Sequence, residues 1–263
     1  MALEKSEAVV LKTYNWSESS RTAVFFTERF GKLPLVDKGG RSAKSKRGRL
    51  MPFAHLEITL YKSEKETSAY LRDCDIIREF SIEKPGSLGR LAYGSAASEL
   101  LLLLLPEGEA QPVLFDYFLR FLGKVSEVDK QLLPAVFVGF FLRSMSQLGY
   151  HPSLAFCVGC SKELEKISAA GGKVMFSPER GGLVCASCQK PGEYYIGLSV
   201  QQARLLSVLQ RASLDEAATV PLGFQEATLL VETLTKFIKH HSGLVSDIKS
   251  LAFLDKLKSS QLG

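Results

Sequence analysis

The sequence predicts an α+β chain of more than one domain: a small N-terminal β-barrel, then a helical bundle, with a cysteine-bearing module inserted in the bundle. Three observations predict it. Period-two alternation dominates up to about residue 80, and helical periodicity takes over after "EKPGS" (Glu83–Ser87). Two Cys-x-x-Cys pairs, Cys157/Cys160 and Cys185/Cys188, then interrupt the helical part. A chain of 263 residues has room for two domains of the common size, ~100–200 residues. With 46% hydrophobic and 23% charged residues it has the composition of a folded protein, not a disordered one.

The strand signal is clearest in "FAHLEITLY". Ala54, Leu56, Ile58 and Leu60 fall on one face there, and His55, Glu57, Thr59 and Tyr61 on the other. "AVVLKTY", "TAVFFT", "KLPLV" and "SAYLRDCDII" are further β-rich segments, separated by turn residues in "NWSESS", "RFG" and "KSEKET". About five short strands in ~75 residues fit a small barrel, OB-like or SH3-like, with a two-layer sheet as the alternative.

Three helices are predicted next, over "LGRLAYGSAASELLLLLL", "QPVLFDYFLRFLGKV" and "LLPAVFVGFFLRSMSQLG". Farther on, Ser199-Val200-Gln201-Gln202 fits a capping box that opens another helix. Ala227, Leu230, Val231, Leu234 and Ile238 make an i, i+3, i+4 stripe that Gly243 can stop. The leucine run Leu100–Leu105 ends at Pro106, far short of the ~20 apolar residues of a spanning helix, and reads as a buried helix end. The N-terminal "MALEKSEAVVLK" lacks an apolar core of signal-peptide length, so a soluble, cytoplasmic protein is expected. The expected division is a barrel domain at 1–80 and a helical domain at 81–263, with the cysteine insertion at 154–195.

Cys157 and Cys160 are separated from Cys185 and Cys188 by 24 residues. Each pair can form a tight knuckle, and the intervening loop can bring four thiolates around one ion. Gly159 sits inside the first knuckle, where backbone must approach sulfur, and Gly171-Gly172 and Gly181-Gly182 suit hairpin turns. "KVMFSPERGGLVC" reads as a short strand pair leading into the second knuckle. The alternatives are two disulfides or buried free thiols; one structural zinc per chain accounts better for two pairs with a Gly-rich spacer. A thioredoxin-like site would need one pair opening a helix after a strand, and neither pair has that setting. Four sulfur ligands leave no open position for an activated water, so the metal is expected to be a staple, not a catalyst. Cys74 reads as a small buried hydrophobe, and His151, His240 and His241 as packing or surface residues.

"KGGRSAKSKRGR" places Lys38, Arg41, Lys44, Lys46, Arg47 and Arg49 in twelve positions without an acid. Residues 1–80 hold 15 Lys and Arg against 11 Asp and Glu, so most of the net +5 lies in the first third. Small residues between the cations let backbone N–H groups approach phosphates. The stretch reads as a nucleic-acid contact, against the alternative of a merely solvated loop. Trp16 and Tyr14 could supply a stacking surface, although Trp16 suits a core equally well. A phosphate-binding loop for ATP is excluded, because Ala43 stands before Lys44 where that motif requires glycine.

Together these pieces resemble the RecO family of bacterial recombination mediators. "SRTAVFFTERFGKLPLVDKGGRSAKSKRGRLMPFAHLEITLY" is similar to that family's barrel domain, through a "T…G" turn, a "KG.R" run, a basic loop and an "L.PF" strand entry. "FFLRSMSQLGYHPSLAFCVGCSKEL" is similar to its bundle-to-zinc junction, and "HHSGLVSDIKSLAFLDKL" to its closing helix. The likeness runs from about Ser6 to about Leu257. It implies an N-terminal OB-fold, a helical domain and a zinc-finger insertion held by Cys157, Cys160, Cys185 and Cys188. It also implies a protein without catalytic residues that binds single- and double-stranded DNA and anneals complementary strands. The implied partners are RecR and the acidic C-terminal tail of single-strand-binding protein, with RecA loaded as the outcome and the nucleoid as the place of work. Two other classes compete. A zinc-bearing OB-fold RNA-binding protein would share the barrel and cysteines. A metalloenzyme or thiol oxidoreductase would need an open metal site or a reactive exposed thiol, and no His/Glu constellation supports either.

Overall fold

The computed structural model describes residues 2–15, 18, 20–38, 50–62, 69–80, 82, 88–168, 173–243 and 248–250. They fall into two compact units that divide between Glu127 and Val128.

The first unit contains β1 (Ala2–Asn15), β2 (Arg21–Thr27), β3 (Gly31–Asp37), β4 (His55–Lys62), β5 (Ala69–Arg78), α1 (Leu88–Leu104) and α2 (Pro112–Glu127). β1 is long enough to serve two neighbours. Ala2–Val9 pairs with β4, and Ala8–Asn15 pairs with β2. The register slips between Val10 and Lys12, where the extra residue of a bulge bends the strand from one partner to the other. β2 runs antiparallel to β3, β4 antiparallel to β5, and β3 meets β5 in parallel at Leu35↔Ala69 and Val36↔Tyr70. The order β1-β2-β3-β5-β4 therefore closes on itself, and each strand has two neighbours.

The interior is lined by the alternating apolar residues expected of β4, with Ala54, Leu56, Ile58 and Leu60 all buried alongside Val10, Phe25 and Leu35. Cys74 packs partly buried against this cluster. Phe26 follows Phe25 and so points to the opposite face of the sheet. It is nonetheless fully buried, because Phe115 of α2 meets it edge-on at 5.3 Å and Phe118 lies 6.4 Å away. The change from strand to helix near residue 80 is thus no break in packing: α2 turns Leu114, Phe118, Phe121 and Leu122 inward and shields the outside of β2.

An ion pair lies at the end of β3. Arg21 Nε donates to Asp37 Oδ2 at 2.9 Å across the β2–β3 register, and Asp37 is completely buried. Removing one partner of a buried pair strands the other charge. Asp37→Ala should therefore cost about 3–5 kcal/mol. The measurement is urea unfolding followed by the fluorescence of Trp16, the sole tryptophan. The pair is dispensable if Asp37→Ala unfolds at the wild-type midpoint.

The second unit contains α3 (Leu133–Gln147), α4 (Leu164–Ser168), β6 (Val174–Ser177), β7 (Gly182–Val184), a 3-10 turn (Ala186–Cys188), β8 (Ile196–Leu198), α5 (Val200–Arg211), α6 (Leu214–Ala217) and α7 (Phe224–Ser242). α3 is apolar nearly all round, as a central helix must be; Val136, Phe137, Phe140 and Phe141 are fully buried, and α5, α6 and α7 pack on it. The capping box at α5 forms as expected: Gln202 N–H donates to Ser199 Oγ at 3.1 Å, and Ser199 N–H to Gln202 Oε1 at 2.8 Å. Ser213 and Glu216 repeat the device at α6. The α7 stripe is buried throughout, and Gly243 ends the helix in the left-handed conformation at φ 71°. Among the described residues no helix is long and apolar enough to cross a membrane.

Candidate metal centre and nucleic-acid surface

The cysteine module is built on a three-stranded sheet of order β7-β6-β8. The predicted β6–β7 hairpin is present, with Met175↔Val184, Phe176↔Leu183 and Ser177↔Gly182 paired. The segment before the first knuckle lies along the other edge of β7. Ser153 N–H donates to the Gly181 carbonyl, Leu183 N–H to that of Ser153, and Val158 N–H to that of Leu183, each at 2.9 Å. Only glycine allows this approach, because a Cβ at Gly182 would lie 2.4 Å from the Ser153 carbonyl oxygen. Both knuckles are thereby hung on one short strand.

The first knuckle closes through Cys157 N–H to the Lys162 carbonyl at 2.8 Å and Ser161 N–H to the Cys157 carbonyl at 2.9 Å, with Ser161 at φ 58°. The second is the 3-10 turn, closed by Cys188 N–H to the Cys185 carbonyl at 2.9 Å. Gly159 fulfils the sequence expectation, since a Cβ there would come within 2.9 Å of Cys188 Sγ.

The four Sγ atoms lie within 4.8 Å of one another, and Cys160 Sγ and Cys185 Sγ are 3.7 Å apart. A disulfide requires ~2.05 Å. Metal–sulfur bonds of ~2.3 Å at tetrahedral angles place sulfurs ~3.8 Å apart. The electrostatics agree with that reading. Burial pushes the Cys157 thiol up, but backbone N–H donors from Cys185, Gly159 and Cys160 outweigh it and bring the group down to about 6. Cys185 is also lowered, against burial, by its contacts with Cys188 and Cys160. Cys188 is pushed up to about 12, chiefly by sulfur contacts with Cys185 and Cys160. A cluster that ionises readily at one thiol resists ionising at the last, and a cation at its centre removes that conflict. The four cysteines can bind one metal ion.

Two of the histidines, His151 and His241, make their contacts elsewhere. His151 Nδ1 is 2.8 Å from Ser146 Oγ, and His241 Nε2 is 2.9 Å from the Pro178 carbonyl with its ring 4.6 Å from that of Phe237.

Of the six cations singled out in the basic stretch, Lys38 is placed by the structure. Arg41, Lys44, Lys46, Arg47 and Arg49 lie outside the described residues, as does Trp16. Lys38 Nζ sits 4.1 Å above the ring of Tyr70, and the Arg72 guanidinium 5.6 Å from that of Tyr61. Tyr61 and Tyr70 are directly paired across β4 and β5, beside the end of β3. Cations and aromatics therefore alternate where the basic stretch begins, the composition on which single strands stack and neutralise charge. Tyr61, Tyr70 and Arg72 escaped the sequence reading. Tyr61 stood on the polar face of β4, but nothing local indicated that Tyr70 would lie opposite.

Fold and site define a two-unit α+β protein, with a closed five-stranded sheet in one unit and, in the other, helices and a small sheet that carries a four-cysteine centre. Residues 1–80 match the family model described as Recombination protein O N terminal, and residues 85–252 the one described as Recombination protein O C terminal. The chain belongs to the RecO family. Among its relatives, the DNA repair protein RecO of Symbiobacterium thermophilum is 29% identical over 99% of this chain and 100% of its own. That of Anaeromyxobacter dehalogenans is 27% identical over 96% of both chains. That of a Nocardioides species is 29% identical over 97% of this chain and all of its own length.

Proposed function

We propose that this chain is a DNA-binding recombination mediator in DNA repair that performs no catalysis of its own. It binds single- and double-stranded DNA, anneals complementary strands and, with RecR, promotes RecA loading on strands coated by single-strand-binding protein, whose acidic tail it contacts. The observation that carries this reading is the match of both halves of the chain to the RecO models, supported by the shared name of relatives aligned end to end. The closed strand order, with β3 and β5 parallel, suits an OB-fold, a barrel that many nucleic-acid binders use. In this reading residues 1–80 hold DNA through Lys38, Arg41, Lys44, Lys46, Arg47 and Arg49. Residues 81–263 form the helical domain, and 154–195 a zinc finger in which Cys157, Cys160, Cys185 and Cys188 hold one structural zinc. The protein works in the cytoplasm, at the nucleoid.

Annealing needs no bond chemistry. Two polyanions repel, and a cationic surface touching both lowers that barrier. Single-strand affinity should fall with salt at a slope of ~0.7 per phosphate neutralised. Replacing Lys44, Lys46 and Arg47 with glutamate should weaken binding and flatten that slope by about 2. Unchanged binding by the triple variant would place the DNA surface elsewhere. Annealing of strands precoated with single-strand-binding protein should require that protein's tail, and equal annealing of RNA strands would favour an RNA-binding protein instead.

A further inference from the structure

The four-cysteine centre has a neighbour that the ligand pattern does not include. Arg180 lies in the turn between β6 and β7, where its N–H donates to Ser177 Oγ at 3.1 Å and Gly181 N–H closes the turn onto the Ser177 carbonyl at 3.0 Å. The side chain leaves the turn and reaches the second knuckle. Nη1 donates to the Cys188 carbonyl at 2.8 Å and stands 3.7 Å from Glu193 Oε2. Nη2 lies against the first knuckle, where a Cβ on Gly159 would be 2.7 Å from it. One guanidinium therefore hydrogen-bonds the second knuckle and packs beside Gly159 of the first.

The anchor that aims it is itself held. Glu193 accepts from the Tyr195 hydroxyl at 2.5 Å and pairs with Lys190 Nζ at 3.6 Å, and Lys190 N–H donates to the Tyr195 oxygen at 2.9 Å. The Arg180 side chain is only 21% exposed, so this fork is largely shielded from water. A fixed planar fork can donate to one knuckle while lying flat beside the other in a way that an ammonium group cannot. Four thiolates around a divalent ion also carry a net charge of about −2, which an adjacent cation offsets.

We propose that Arg180 is the positioning residue that retains the metal, by tying the Cys185–Cys188 knuckle to the Cys157–Cys160 knuckle and balancing the charge of the four-thiolate site. This rests on the reading that the four cysteines hold a metal. Partners of this kind set ligand orientation and commonly change metal affinity by ~10–100-fold.

The test uses the full chain loaded with Zn2+, with release to a chromogenic chelator followed in wild type, Arg180→Met, Arg180→Lys and Glu193→Gln. Arg180→Met should release zinc ~10–100-fold faster. Arg180→Lys keeps the charge without the fork and should fall between Met and wild type. The same proteins loaded with Co2+ report ligand geometry, and the thiolate-to-cobalt band should shift in Arg180→Met while helical circular dichroism stays as in wild type. If Arg180→Met does not fold, Glu193→Gln decides, since freeing the guanidinium should also speed release. Wild-type release rates and an unmoved cobalt band would overturn the role of Arg180 and leave the metal centre standing. Failure of the wild-type chain to bind zinc or cobalt stoichiometrically would remove the metal centre, and the proposal with it.

Discussion

Gly31→Ala should prevent the N-terminal unit from folding, or leave it destabilised by more than ~4 kcal/mol, which is exceptional for a single methyl group. Gly31 opens β3 at φ 64°, where a side chain is strained even in open space. Space is also lacking, because a Cβ would lie 1.8 Å from the Glu109 carbonyl oxygen and 2.6 Å from its carbon. Neither backbone can retreat. The β2–β3 turn is pinned by Thr27 Oγ1, which accepts from Phe30 N–H at 3.0 Å and donates to the Gly31 carbonyl at 2.9 Å. The α1–α2 connection is pinned by Gly108 N–H on the Lys32 carbonyl and by Lys32 Nζ on that of Leu102, each at 3.1 Å. Gly108→Ala is the control: its φ is 73°, yet nothing lies within 4 Å of the added atom. That variant should lose only the conformational term of ~1–2 kcal/mol. Soluble yield and urea unfolding read by Trp16 fluorescence measure both. Equal midpoints for the two variants would show that the contact with Glu109 yields without cost.

Stripping the metal from the four-cysteine centre, or replacing Cys157 with serine, should unfold the module around β6–β8 while the N-terminal unit stays folded. The module has a small core of its own, and α7 braces it only at one side, through Phe237 on Phe176 at 6.3 Å and His241 on the Pro178 carbonyl. Its strands are only three or four residues long, and its buried apolar side chains are few: Leu154, Leu164, Val174, Phe176, Leu183 and Val184, with Ile196 and Leu198 of β8. Segments of this size usually need a staple, and the apparent binding energy of a structural zinc is ~10–16 kcal/mol. Cys157 is the most consequential of the four cysteines to replace, because its sulfur also accepts the N–H of Cys185 at 3.3 Å and of Gly159 at 3.4 Å. Amide exchange after chelation is the measurement. Protection should collapse at Leu183 and Val184 and persist in β1 and β4. Unchanged protection at Leu183 in metal-free protein would mean that the strands stand alone.

The strands were legible because the sheet has one buried face: alternation in "FAHLEITLY" alone sorts Leu56, Ile58 and Leu60 from Glu57 and Thr59, as the structure does. Helix ends were legible where caps are local, at Ser199 and Gly243. Alternation says nothing of the burial of Phe26, which points away from the sheet interior, because α2 covers it and no local pattern records a helix about 90 residues away. The division between Glu127 and Val128 has the same cause, since it follows from what α2 packs against and not from any composition shift.

For the site, spacing alone named the four cysteines, since a knuckle is a short-range object whose chemistry depends on residue type and separation. Glycine at 159 was legible for the same reason. Arg180, Glu193 and the Tyr61–Tyr70 pair were not, because an arginine in a turn or a tyrosine on a strand looks like any other until register and chain return bring partners to it. Sequence by itself determined the periodicities, the caps and the spacing of the cysteine pairs, all properties of neighbours along the chain. Tertiary structure decided which strand closes the sheet, which helix shields it and which arginine lies beside the cysteines, because those energies arise between segments far apart in sequence.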